Sequence, residues 1–149
     1  NNELVTNAVI TSGTKISAYA FCNCDSLKSV TIGNGVEKIW EWAFSSCQSL
    51  ESVLFGNNIK IIGTQAFAYC DSLVSIEIPN IMESISAYAF SNCPNLTDIY
   101  VPWNEGEVTD APWGSTATIH YGSYTVKSVK QIAPIIGKET NFNISKIIY

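Results

Sequence analysis

The sequence contains no arginine: its eight basic residues are all lysine. Without a guanidinium there is no planar fork to grip phosphate or guanine bidentately. Thirteen acids outnumber those lysines and leave a net charge of −5. Such a chain is a poor partner for nucleic acid or an anionic lipid surface. Apolar runs stop after a few residues, far short of the ~20 needed to cross a bilayer, so no membrane insertion is expected. Charged residues are only 14% of the 149, and apolar residues are 46%. That balance excludes a disordered chain and describes one folded domain. No basic region followed by an apolar run and a small-residue cleavage site stands at the N-terminus. Because the chain opens on Asn rather than Met, the expectation is a processed form or an excised piece.

Catalytic signals are also scarce. His120 is the single histidine, and general acid–base work needs a partner within hydrogen-bond reach. Asp110 and Glu107 are near it in sequence, but no nucleophile is marked beside them. There is no glycine-rich phosphate loop and no pair of carboxylates in a distinctive context. The plain reading of His120 is a surface or cap histidine. An enzyme is not expected, nor is a cofactor or a metal.

What the sequence does have is a repeat. Ala-Phe occurs at Ala20-Phe21, Ala43-Phe44, Ala66-Phe67 and Ala89-Phe90, always 23 residues apart. Cys24, Cys47, Cys70 and Cys93 keep the same period, as do Leu27, Leu50, Leu73 and Leu96. Val30, Val53, Ile76 and Ile99 follow, then Ile32, Phe55, Ile78 and Val101. Ile16, Ile39, Ile62 and Ile85 stand four residues ahead of each Ala. The unit is I-x3-A-F-x2-C-x2-L-x2-[VI]-x-[IVF].

Strand side chains alternate, so Val30 and Ile32 share one face, and residues 28–32 and their equivalents predict one short strand per coil. One coil cannot bury its own apolar face, but stacked coils can, with parallel strands ~4.8 Å apart. The fold class is therefore a β-rich repeat solenoid with short parallel strands. The Ile-x3-Ala-Phe-x2-Cys side is too short for a real helix and predicts a turn or a single helical turn. Gly33, Gly56, Pro79 and Pro102 follow the strands directly and end them. Val9 lies 23 before Ile32, so the repeat extends weakly upstream. Residues 1–15 read as a partial N-terminal coil, 16–102 as a solenoid of 23-residue units, and 103–149 as a C-terminal cap with a β-rich tail. Residues 103–118 break the period, and Trp103 and Trp113 are candidates for a lid. The tail is basic, with Lys127, Lys130, Lys138 and Lys146 against Glu139.

The copies, such as A-F-A-Y-C-D-S-L-V-S-I-E-I-P from Ala66 to Pro79, resemble the leucine-rich repeats of the BspA-like type, also called the Treponema pallidum type. The resemblance covers roughly residues 8–102 and implies a right-handed solenoid. It also implies a secreted or surface-exposed protein that binds host or bacterial surface proteins and is not an enzyme. Val101 to Tyr121 looks like the end-cap that follows such repeats in some gut-bacterial and bacteriophage proteins.

Four cysteines form one column, one per coil. Parallel side chains do not bring Cβ atoms to the ~3.8 Å of a disulfide, and a linear column does not converge on zinc. These thiols read as small buried apolar groups. Cys22 sits outside the column, at a position held elsewhere by Ser45, Ala68 and Ser91. Ser26, Ser49, Ser72 and Asn95 read as structural, bonding backbone at each turn.

Binding is expected on the outward strand face. Its candidates are Lys28, Glu51 and Val74 in one row and Leu54, Glu77 and Tyr100 in another. A second column precedes Ala-Phe: Tyr19, Trp42, Gln65 and Tyr88. If exposed, Tyr19, Trp42 and Tyr88 form an aromatic ridge suited to protein or glycan contact. The plainer reading is that they pack over the turns as partly buried spacers. The expected function is a non-catalytic, adhesin-like module at the cell surface or outside the cell. Its expected partner is a host matrix protein, another surface protein or a surface glycan. The alternative is a structural spacer in a larger assembly, such as a multidomain surface protein or a phage tail on the virion.

Overall fold

Each copy of the repeat makes two short strands, not one. A computed structural model describes residues 5–122; the tail reading for 123–149 lies outside the described residues. In chain order the strands are β1 (Asn7–Ile10), β2 (Lys15–Ile16), β3 (Ser29–Ile32), β4 (Lys38–Ile39) and β5 (Ser52–Leu54). They continue with β6 (Ile61–Ile62), β7 (Ser75–Glu77), β8 (Ser84–Ile85), β9 (Asp98–Val101) and β10 (Thr118–Tyr121). All pairing is parallel. The longer strands form β1-β3-β5 and β7-β9-β10, and the two-residue strands form β2-β4-β6-β8. The fold is a parallel β-solenoid, as the repeat implies. The second sheet is absent from the sequence reading, which has only turns there.

The arc between the two strands contains no helical turn. Its N–H groups alternate: one closes a tight turn within the arc, as Ala20 N to Ser17 O and Cys22 N to Tyr19 O (both 3.2 Å), and the next points along the stack to the neighbouring coil. Phe21 N donates to Ala43 O (2.7 Å), Phe44 N to Ala66 O (2.8 Å) and Phe67 N to Ala89 O (2.9 Å). Left-handed residues turn the backbone that way, two in each of the first three arcs and one in the fourth: Tyr19, Trp42 and Gln65 before Ala-Phe, and Asn23, Ser46, Tyr69 and Asn92 after it. With every second donor spent on the neighbouring coil, consecutive i→i−4 bonds cannot form.

The core is a set of columns. Leu27, Leu50, Leu73 and Leu96 are fully buried, as are Phe44, Phe67 and Phe90. The phenylalanine rings stack at 5.0, 5.1 and 5.8 Å between centroids, close to the spacing of the strands themselves. Trp113, 23 residues after Phe90, continues the column edge-on at 6.3 Å. The ring extends the column although the backbone is displaced by one residue: Phe90 N donates to Trp113 O (3.1 Å), not to the preceding Pro112.

Both ends depart from the period, and each departure moves residues between faces. At the N-terminal end β1 pairs with β3 as Ala8↔Val30 and Ile10↔Ile32, one residue off the register read from sequence. The connection from Ile10 to Ile16 is one residue shorter than that from Ile32 to Ile39. A one-residue slip exchanges the faces, so Ala8 and Ile10 pack on the core and Val9 is 67% exposed. At the other end the stretch from Trp113 to Ile119 is three residues shorter than that from Phe90 to Ile99. Ile119 and Tyr121 still reach the columns, opposite Ile99 and Val101.

Gly56 is fixed by close approach. A Cβ there would lie 2.7 Å from both the carbonyl carbon and oxygen of Gly33, and 2.8 Å from Ile32 O. Those atoms are backbone and cannot swing aside. Gly56→Ala is expected to cost about 1–3 kcal/mol, read as a lower urea midpoint; an unchanged midpoint would mean the coils can spread at this corner.

Candidate functional site

The outward strand face is set by register. Asn7, Ser29 and Ser52 align in one row, with Ser75, Asp98 and Thr118 in the corresponding row of the other sheet. Val9, Thr31 and Leu54 align beside them, with Glu77, Tyr100 and His120 as their counterparts. Leu54, Glu77 and Tyr100 are half-buried on this face. Lys28, Glu51 and Val74 stand exposed just ahead of the strands, Val74 at 53%.

His120 joins this face, a place the 23-residue period does not give it. Its ring stacks on Tyr100 at 4.6 Å, and its Nε2 lies 2.6 Å from Asp98 Oδ1. Thr97 Oγ1 donates to the other Asp98 oxygen at 2.7 Å. Asp110 and Glu107, its neighbours in sequence, are not the partners recorded here. The cluster ties the last two strands together and presents one flat aromatic surface with a carboxylate beside it.

The aromatic ridge is split. Tyr19 and Trp42 stack nearly parallel at 6.2 Å. Tyr19 is 59% exposed and Tyr88 61%, while Trp42 is half-buried. The spacer reading therefore suits Trp42 and not the two tyrosines. Gln65 interrupts the column, so Tyr88 stands away from the pair. Trp40 and Tyr69 are further exposed rings on the arcs.

All five thiols are free; three of the column, Cys47, Cys70 and Cys93, are buried as read from sequence, and Cys24 at its end is not. Cys47 Sγ donates to Phe21 O (3.1 Å), Cys70 to Phe44 O (3.4 Å) and Cys93 to Phe67 O (3.1 Å). Each thiol thus ties its coil to the previous one, beyond the apolar role read from sequence. Burial pushes the Cys47 thiol up to about 12. Cys70 is raised too, by hydrogen bonding with Cys93 and then by burial. Cys22 and Cys24 are only half-buried. In the Ser/Asn column, Ser72 Oγ donates to Gln48 O (2.7 Å) and Asn95 Nδ2 to Asp71 O (2.8 Å). These bonds also run to the preceding coil.

Among the described residues no group of three or more His, Cys, Asp or Glu is placed to hold a metal ion. No helix among them is long and apolar enough to cross a membrane. One cavity of about 210 Å³ lies where the last two-residue strand meets the segment bearing Trp103 and Trp113.

Comparison with known proteins agrees with the geometry. A family model described as the BspA type leucine-rich repeat region matches residues 1–133 in six copies. A leucine-rich cell surface protein from Faecalibacterium prausnitzii A2-165 is 28% identical, with a TM-score of 0.64 over 84% of this chain and 34% of its own. A leucine-rich-repeat protein from Bacteroides capillosus ATCC 29799 is 31% identical, with a TM-score of 0.58 over 66% of this chain and 78% of its own. The pneumococcal vaccine antigen PcpA shares the fold at 19% identity, with a TM-score of 0.67 over 82% of this chain and 31% of its own. The chain thus spans about a third of the length of the Faecalibacterium and pneumococcal proteins. No curated relative matches it.

Proposed function

Because the chain belongs to the BspA-type leucine-rich-repeat family, we propose that it is a non-catalytic, adhesin-like binding module that works at a cell surface and takes a host matrix or surface protein as its ligand. The fold and family are typically non-catalytic. The observation that carries the reading is the outward strand face: in-register rows of short side chains that end on the Tyr100–His120 stack. Short serines and threonines leave backbone and side chains close to a partner, and a ring at the end of the row supplies an anchor. Aromatic anchors of this kind dominate protein interfaces. Leu54, Val74, Lys28, Glu51 and Glu77 complete the contact. Exposed Tyr19, stacked on the half-buried Trp42, is a second surface where a glycan ring would stack, and Tyr88 is a separate one.

The experiment is binding of the purified, folded chain to immobilised host matrix proteins, mucins and bacterial surface glycans. Tyr100→Ala is expected to weaken a saturable hit on a matrix or surface protein by about ten-fold or more, with the thermal midpoint moved little. Trp42→Ala is the matching variant for the ridge. A hit that ignores Tyr100→Ala but responds to Trp42→Ala would move the site to the ridge. No saturable binding by well-folded protein would leave the chain as a spacer.

A further inference from the structure

The two-residue strands form a sheet that stops one coil early. In the earlier coils every such strand is covered by the next. Glu37 N donates to Thr14 O (2.9 Å), Lys60 N to Glu37 O (2.8 Å) and Glu83 N to Lys60 O (2.8 Å). Trp40 N donates to Ile16 O (3.0 Å), Gly63 N to Ile39 O (2.8 Å) and Ser86 N to Ile62 O (3.0 Å). The next strand belongs at Val108, 23 residues after Ile85, and it does not form. The segment closes on itself instead. Glu107 N donates to Asn104 O (3.1 Å), and the Glu107 carboxylate accepts from Asn104 N (2.8 Å) and Nδ2 (3.1 Å). Among the described residues no backbone donor reaches the carbonyls of Glu83 and Ile85, the two acceptors that would continue the ladder. Beside them is the cavity of about 210 Å³, walled by Met82, Ile85, Trp103, Val108 and Trp113.

We propose that this gap takes an extended peptide strand from a partner protein, added in parallel to β8, with one apolar side chain in the tryptophan-walled cavity and lysines beside Glu83 and Glu107. The acceptors are spaced two residues apart on a strand, and the N–H groups of an extended backbone repeat at that interval, as those of Ser84 and Ser86 do toward Lys60 O and Ile62 O (both 3.0 Å). The added strand would continue a sheet already four strands wide. Met82, Ile85, Trp103, Val108 and Trp113 share the wall with Ser84 and Thr109, and their indole, thioether and aliphatic groups receive the apolar side chain. The lining carries two carboxylates and no cation, which selects a basic flank. The Glu107 carboxyl is held below its ordinary range by its bonds from the Asn104 backbone and side chain, so it stays anionic. This inference rests on the protein-binding reading but uses a different sheet from the one that carries Tyr100.

The test is a tryptophan-fluorescence titration of the full 149-residue chain with a capped peptide, Lys-Val-Thr-Leu-Thr-Val-Lys. Saturable binding is expected, with a Kd on the order of 100 μM. N-methylation of both threonines removes the two donors, and Val108→Trp fills the cavity. Each is expected to weaken binding about ten-fold or more, a loss of one or two well-formed contacts. The N-methyl peptide needs no protein variant, so it decides the matter if Val108→Trp fails to fold. Tyr100→Ala should leave this titration unchanged, so failure here and failure of the outward-face site are read separately. No saturable binding up to millimolar peptide, or binding that survives N-methylation, would overturn the proposal.

Discussion

Phe67→Ala is expected to lower the unfolding free energy by about 3–5 kcal/mol, the range for a large buried aromatic truncated to methyl. The ring is fully buried in the middle of the column. Phe44 stacks on one side at 5.1 Å and Phe90 on the other at 5.8 Å, while Phe55 meets its edge at 5.9 Å. Its loss therefore strips contacts from three other rings at once. Backbone bonds from Phe44 to Ala66 and from Phe67 to Ala89 hold the arcs at fixed spacing, so the coils cannot collapse into the void. Phe21→Ala is the control. Phe21 is half-buried at the end of the column and, among the described residues, stacks on one ring, Phe44. Its loss should be less than half as large. The measurement is equilibrium urea unfolding of both variants, with the midpoint shift compared at constant m. Equal losses would mean that the column is not the continuous element that joins the coils.

The columns were legible because they are a property of composition at a fixed interval. A buried position tolerates few side chains, so Phe, Cys, Leu and Ile recur and the period can be counted. The second sheet was not legible. Each of its strands is two residues long, with no alternation to read, and its ladder is backbone bonding that leaves no mark on side-chain identity. The left-handed residues are hidden for a related reason. Tyr19, Trp42 and Tyr69 take positive φ without glycine or asparagine to signal it. Stacking against identical arcs imposes the conformation, and the sequence carries no separate record of it.

The candidate surface was legible where the period held and not where it broke. Leu54, Glu77 and Tyr100 follow from strand alternation alone. His120 does not, because the last coil is shortened before Ile119 and a count of 23 misplaces it. The signal was present in Ile119-His120-Tyr121, where two large side chains flank His120 as Ile99 and Val101 flank Tyr100. Trp113 was read as a lid over the last coil, but its place at the end of the phenylalanine column was not, because Pro-Trp does not look like Ala-Phe. The exposure of Tyr19 and Tyr88 depends on how far each arc stands off its neighbours, which no single residue determines.

Cys70→Asp is expected to lower the unfolding free energy at neutral pH by about 3–5 kcal/mol or more. Cys70 is fully buried, and its thiol donates to Phe44 O. A carboxylate placed there would face that carbonyl oxygen and the neighbouring thiols Cys47 and Cys93, with no cation in the column. An uncompensated buried charge costs about 3–5 kcal/mol or more, a large part of a typical domain's stability of roughly 5–15 kcal/mol. The penalty has a pH signature. Burial without a partner raises the folded-state pKa of the new Asp above its unfolded value of about 3.9. Below the unfolded value both states are protonated, and the charge penalty is absent. As pH rises through the window between the unfolded and folded pKa values, the native state holds the extra proton and stability falls. Cys70→Asn, of similar shape and uncharged, separates charge from size. The measurement is urea unfolding of both variants at pH 3 and pH 7, each corrected by the parent chain at the same pH. The gap between Asp and Asn should be small at pH 3 and open to about 3 kcal/mol or more at pH 7. A gap that stays closed at both would mean that water reaches the column and that the coils are not sealed along it.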